Sequence, residues 1–255
     1  MRILILGNSD TAGLRLERGE RAWPDLLREL RPADSVEAIR FVPMGGAVAY
    51  VGGKAAELEP DFVVIPLAVY VCAVGLVSES VGRRFGRRAR SAYLRMERRY
   101  DGATRREGEP GRLNRAGQAA ARRLLGTAPL APAESVVAVY SGLLHELARR
   151  EGTQVVVMGD GHFGREIQRQ NPSLPAVIAR VQAAIRPVVE RHHFSWIDAE
   201  AAMAATGRRH ESMHDDGVHL SAEGHRIVAA LVHAALPASD SRTRPSPTSG
   251  SAGGQ

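Results

Sequence analysis

The chain is 255 residues long, 44% apolar and 5% aromatic, with a formal charge of +6 at pH 7. That length supports one sizeable core and leaves two full domains cramped. No apolar run approaches membrane-spanning length, the opening run is too short for a signal peptide, and the single cysteine, Cys72, excludes an internal disulfide and fits a cytoplasmic protein.

Arg2-Ile3-Leu4-Ile5-Leu6 is a nearly unbroken apolar run, the pattern of a strand buried on both faces of a parallel sheet. It leads into Gly7-Asn8-Ser9-Asp10-Thr11-Ala12-Gly13, which places Ser9 at the carboxyl end of the first strand, where open α/β sheets bind ligands. Ser9 is therefore a candidate nucleophile. Ser and Asp after a strand also serve as helix caps. A dinucleotide loop would need G-x-G-x-x-G, and the second glycine is missing here.

Residues 14–20 are polar and read as a loop rimming the site. Ala22 to Leu30 reads as a helix with Pro24 in its first turn and Leu26, Leu27 and Leu30 on one face. Val36 to Val42 is a second strand, ending at Pro43-Met44-Gly45-Gly46. Ala47 to Leu58 is helical, and residues 60–67 form a third strand that continues into Ala68-Val69-Tyr70-Val71.

Residues 72–131 read as an insertion. Between Arg83 and Arg123 there are 14 arginines against Glu97, Asp101, Glu107 and Glu109, so the basic character of the chain is concentrated in one segment. Only Lys54 among the basic residues is lysine, a bias that codon usage in a GC-rich genome would produce by itself. Phe85, Tyr93, Leu94, Met96 and Tyr100 among the arginines suggest one or two helices with a narrow apolar face, and residues 102–111 a flexible loop. Placed after the third strand, the segment is expected to lie beside Ser9 as a lid and to attract an anionic partner. That partner would be a carboxylate or phosphate substrate, a carrier protein or anionic lipid. The run lacks a recognisable nucleic-acid motif, so nucleic acid is not expected.

Ala133 to Arg150 is a helix covering the sheet, and Gln154 to Met158 a fourth strand. The turn Gly159-Asp160-Gly161-His162-Phe163-Gly164 follows at the same sheet edge as Ser9, where Asp160 and His162 are candidates to line the pocket. Pro175 to His192 is a further helix, and Phe194 to Ile197 a fifth strand followed by Asp198. Ser221 caps the last helix, Ala222 to Leu236, whose Ile227, Val228, Leu231 and Val232 face the core. The tail, residues 237–255, is rich in Ser, Pro, Thr and Gly and reads as disordered.

A serine hydroxyl needs a base to take its proton, and the base needs a carboxylate to fix its tautomer. Asp216-Gly217-Val218-His219 offers both within one tight loop, and Asp198 is a weaker rival for the carboxylate. His210, His214, Asp215, Asp216 and His219 lack a recognised metal-ligand spacing, so no metal is expected.

Gly7-x-Ser9-x-x-x-Gly13, Trp23-Pro24-x-Leu26-Leu27, Asp216-x-x-His219 and His219-Leu220-Ser221-x-Glu223-Gly224 together resemble the SGNH (GDSL-type) hydrolase superfamily over residues 1–70 and 150–236. The resemblance implies a three-layer α/β/α sandwich with a five-stranded parallel sheet (flavodoxin-like), in one domain at residues 1–236. It also implies a Ser9, Asp216, His219 triad acting on a small or lipid-like acyl ester through an acyl-enzyme, with no cofactor. In that family a glycine after the second strand supplies an oxyanion N–H, matched here by Gly46 with Gly45 as fallback. An asparagine after the third strand supplies another donor, and here the chain departs from the pattern. Tyr70, Asn8 and His162 are candidate replacements. An acyltransferase with a non-water acceptor and a ligand-binding relative without turnover stand as alternatives.

Overall fold

The structure, a computed structural model, describes residues 1–104, 120–159, 163–207 and 209–238. Five strands form one parallel sheet in the order β2-β1-β3-β4-β5: β1 Arg2–Gly7, β2 Ser35–Arg40, β3 Phe62–Pro66, β4 Gln154–Gly159 and β5 Ser195–Asp198. The registers set Ile3 beside Val36 and Ile5 beside Val64, while Val64 lies beside Val156. Every strand end that carries a candidate residue therefore lies along one edge of the sheet.

The period of two along β1 divides its side chains between two cores. Leu4 and Leu6 join Val63, Ile65, Val155 and Val157 beneath α2 (Ala47–Leu58), α5 (Ala133–Ala148) and α7 (Leu174–Arg191). Ile3 and Ile5 join Val64, Val156 and Met158 on the other face, against α1 (Trp23–Leu30), α8 (Ala199–Ala205) and α9 (Ala222–Ala235). On α5, Val136, Tyr140, Leu143, Leu144 and Leu147 are all fully buried. Their i, i+3, i+4 spacing is that of a helix laid along a sheet. The result is the expected α/β/α sandwich.

Some details differ from the expectation. Leu30 is 48% exposed, and Trp23 rather than Leu30 packs α1 into the core together with Leu27. The stretch Tyr70–Ala73 is a short helix, α3, and α6 (Arg165–Gln170), α8 and the 3-10 turn Arg209–Ser212 carry too little apolar periodicity to be read from sequence. In the insertion, α4 spans Val77–Thr104, so residues 102–104 of the expected loop are helical; the rest of that loop lies outside the described residues. The insertion is pinched at its base by an antiparallel bridge between Leu76 and Ala128. At the tail, the carbonyl of Pro237 accepts from the Arg31 guanidinium at 2.8 Å, while residues 239–255 lie outside the described residues.

That last contact belongs to a buried ion pair. The Arg31 and Asp34 side chains are 2% and 1% exposed and meet at 2.5 Å, joining the end of α1 to the segment after α9. Among the described residues no helix is long and apolar enough to cross a membrane.

Candidate active site

The β1 strand ends at Gly7, and the chain turns at once. A methyl group on Gly7 would lie 2.0 Å from Thr11 Cγ2, so the turn carrying Ser9 closes only with glycine there. The turn is held by Leu14 N–H donating to the Ser9 carbonyl at 2.9 Å and by Asp10 N–H donating to Asn8 Oδ1 at 3.1 Å. The Asn8 side chain thus uses its oxygen locally, which leaves its amide NH2 as a donor. Ser9 is half-buried and Asp10 is buried.

The loop after the 3-10 turn carries the other half. Asp216 Oδ2 lies 2.7 Å from His219 Nδ1, while Asp216 Oδ1 accepts the backbone N–H of Val218 at 2.9 Å and of His219 at 3.0 Å. The D-x-x-H spacing produces this geometry because Gly217 takes a left-handed φ of +66° and lets the loop curl back. Gly217 also abuts Gly164: the Gly164 N–H donates to the Gly217 carbonyl at 2.7 Å, and a methyl on Gly164 would stand 2.6 Å from Gly217 Cα. The turn after β4 therefore buttresses the Asp216–His219 loop.

Burial alone would raise the Asp216 pKa, but the hydrogen bonds from the His219 ring and from the backbone of His219 and Val218 outweigh it and hold the carboxyl well below the carboxylate range. The hydrogen bond to Asp216 raises the His219 imidazole above its ordinary value, against partial desolvation. The Asp216 and Asp10 charges add to the rise, and the Arg15 charge opposes it. Arg15, on the loop expected to rim the site, lies 3.4 Å from Asp216 Oδ2.

Two links bring the ends of the chain together. Asp10 Oδ1 accepts the backbone N–H of Leu220 at 3.0 Å, so the residue after Ser9 is tied to the residue after His219. The buried His225 of α9 accepts the Trp23 N–H at 3.2 Å through Nδ1, fixing the start of α1. Ser9, Asn8, Trp23, Tyr70, Val218 and Leu220 accordingly line one pocket, with Met158 and Phe163 on its wall. Among the described residues Ser9 Oγ makes no hydrogen bond in this conformation. Nucleophile and base commonly tighten only once substrate is bound.

Other expected residues fall elsewhere. Gly46 is not among the residues that line this pocket, and neither are Asp216 and His219, whose loop reaches it through Val218 and Leu220. Gly46 opens α2 in a left-handed conformation, φ +83°, and borders a separate cavity between α2 and α5 with Val48, Gly52 and Val139. Gly45 is absent from the pocket's lining as well. Asp160 and His162 lie outside the described residues. Asp198 caps α8 by accepting the Ala201 N–H at 2.9 Å, and the carboxylate in contact with His219 is Asp216. His214 Nδ1 is 3.9 Å from Asp216 Oδ2, a distant neighbour of the pair. Among the described residues no three His, Cys, Asp or Glu side chains cluster as metal ligands. No described residue of the Arg-rich insertion lines the Ser9 pocket, so the expected lid is not seen among them. Asp10 and Arg15 are the site residues that sequence reasoning missed. The sequence shows only an acid directly after the candidate nucleophile, and its burial and its link to Leu220 emerge in the structure.

The family model of the GDSL-like lipase/acylhydrolase family matches residues 115–227, a span that contains Asp216 and His219 and leaves out Ser9. No curated protein matches the sequence. Among solved structures, the chain is similar to a lipase/acylhydrolase from Enterococcus faecalis at 15% identity and a TM-score of 0.57, with 92% of this chain and 94% of that one covered. It is similar to the acetyl xylan esterase AlAXEase at 15% identity and a TM-score of 0.54, covering 93% and 100%. A lipolytic G-D-S-L family protein from Veillonella parvula is similar at 11% identity and a TM-score of 0.55, covering 91% and 96%. At these identities the likeness is one of fold.

Proposed function

We propose that this chain, a member of the SGNH (GDSL-type) superfamily and a serine esterase or acyl hydrolase by class, cleaves a small or lipid-like acyl ester through Ser9. The observation that carries the reading is the His219 Nδ1 to Asp216 Oδ2 contact of 2.7 Å, on a loop strapped to the Ser9 turn through Asp10 and the Leu220 N–H. Asp216 fixes the tautomer with the proton on Nδ1 and leaves Nε2 as the base. Ser9 Oγ attacks the ester carbonyl and His219 takes its proton. The tetrahedral oxyanion is held by the Ser9 N–H and the free amide of Asn8, with Gly46 left out because it borders another cavity.

Collapse of the tetrahedral species breaks the bond to the alcohol, which leaves with the proton returned by His219. Water then attacks the acyl-enzyme with its proton going to His219, and the acid departs as Ser9 Oγ is protonated again.

A fluorophosphonate probe followed by intact-mass analysis tests the nucleophile. A single adduct at Ser9, lost in Ser9→Ala together with p-nitrophenyl ester turnover, is expected. A folded wild-type protein that takes no adduct, or a Ser9→Ala variant with unchanged turnover, would remove the mechanism.

A further inference from the structure

The Arg-rich insertion does not run straight. At Gly86 the backbone takes φ 85° and ψ 174°, and the helix turns back on itself. The return is visible in the contacts: Arg90 Nε reaches Glu79 at 2.7 Å across a separation of eleven residues, and a methyl on Gly82 would sit 3.3 Å from Arg90 Cβ. A continuous helix would hold residues 79 and 90 on the order of 16 Å apart. The turn leaves Arg84-Phe85-Gly86-Arg87-Arg88 at an exposed apex.

That apex has an unusual composition for a solvated corner. Phe85 is 57% exposed, with the Arg84 guanidinium 5.5 Å from its ring centre. Among the described residues Arg84, Arg87 and Arg88 pair with no carboxylate, whereas Arg90 is spent on Glu79 and Arg83 donates to the Pro129 carbonyl. Two further large apolar side chains of the insertion are in solvent, Met96 at 51% and Leu124 at 77%. The insertion is also firmly mounted, since Ser80 Oγ donates to the Leu125 carbonyl at 2.6 Å above the Leu76–Ala128 bridge.

We infer that this apex docks the protein peripherally on an anionic phospholipid surface. The arginines meet lipid phosphates, and Phe85 enters the boundary between headgroups and acyl chains. Exposed apolar residues flanked by unpaired cations are what such an interface rewards, because each cation near the surface gains electrostatically while the ring leaves water. Phe85 is the one ring in the Arg84–Arg88 apex, whereas binding of a single strand rests on successive bases stacked on several rings, which argues against a single-stranded nucleic acid. A convex corner also offers little of the roughly 800 Å2 per partner that a stable protein interface buries, whereas a bilayer deforms around it.

The test is co-sedimentation of the full chain with vesicles of phosphatidylcholine alone and of phosphatidylcholine mixed with phosphatidylglycerol, at low and high salt. Binding is expected to the mixed vesicles only, and to weaken with salt. The Arg84→Gln/Arg87→Gln/Arg88→Gln variant should lose roughly a hundredfold in partitioning, and Phe85→Ser should lose several-fold while keeping the salt dependence. Circular dichroism and p-nitrophenyl ester turnover matching wild type would show that both variants keep the fold. No binding to mixed vesicles, equal binding by the triple variant, or no effect of Phe85→Ser would overturn the inference. So would tighter binding to an oligonucleotide or to an acidic protein than to the vesicles, or equal displacement by inorganic phosphate alone.

Discussion

Asp10 is the place to perturb, because one carboxylate joins the two halves of the site. In Asp10→Ala the Leu220 N–H, buried and 3.0 Å from Oδ1, loses its acceptor. A hydrogen bond to a charged acceptor contributes about 1.5–3 kcal/mol, so the variant should be destabilised by about that amount. Its effect on turnover should exceed what stability explains. His219 immediately precedes the released N–H, and a displacement of about 1 Å at a reacting group costs on the order of a hundredfold. Asp10→Asn keeps an oxygen acceptor but drops the charge, one of the influences that raise the His219 pKa. It should hold most of kcat and move the acid limb of the kcat/KM profile to lower pH. The assay is ester turnover against pH for both variants, with urea denaturation to measure stability. If Asp10→Ala kept wild-type kcat/KM while losing stability, the strap would be structural only. An unmoved acid limb in Asp10→Asn would refute the electrostatic half of the argument.

Further outcomes follow from the same contacts. Because His219 acts as a base and its pKa is raised, kcat/KM should fall on acidification with a midpoint above the ordinary 6.5; Asp216→Asn should lower both that midpoint and turnover, the latter by about 10³–10⁴-fold. The pair has the opposite consequence for folding. The raised His219 adds stability below pH 6.5 that is lost as pH rises through its folded value, and the depressed Asp216 adds stability above pH 3.8 that is lost as pH falls through its folded value; thermal melts against pH in wild type and His219→Gln would resolve the two. Asp34→Ala leaves the Arg31 charge buried with its nearest carboxylate removed and should cost about 3–5 kcal/mol by urea titration, with little effect on kcat in the folded fraction. Gly164→Ala drives a methyl into the Gly217 backbone and should cost about 1–3 kcal/mol, with turnover falling further because the Asp216–His219 loop must shift.

Much of this was legible in the sequence where one local signal dominated. The opening apolar run, the i, i+4 pattern of α5 and the Ser221 cap, which accepts the Gly224 N–H at 3.2 Å, each depend on a few adjacent residues. The Asp216–His219 contact was also legible, since three residues and one glycine suffice to make it. Placement was harder. Leu30 fits the apolar face of α1 by period, yet it is 48% exposed, and Trp23 with Leu27 fills the core in its place. Gly46 has the right residue type after the right strand, but its direction is set by how α2 leaves the sheet, which no local pattern encodes. Asp10 reads as a turn residue until Leu220, 210 positions away, supplies its partner. For the insertion, composition gave its charge, and the fold-back at Gly86 sets where that charge is displayed.

The links from Asp10 to Leu220, from Trp23 to His225 and from Arg31 to Pro237 join residues 210, 202 and 206 positions apart in the sequence. During synthesis the serine turn therefore emerges long before its imidazole has been translated. A nascent polypeptide would carry an inert alcohol until the Asp216–His219 loop had been made, and a product truncated before Asp216 would lack its proton acceptor. Timing, as much as geometry, then separates a reactive hydroxyl from a harmless one.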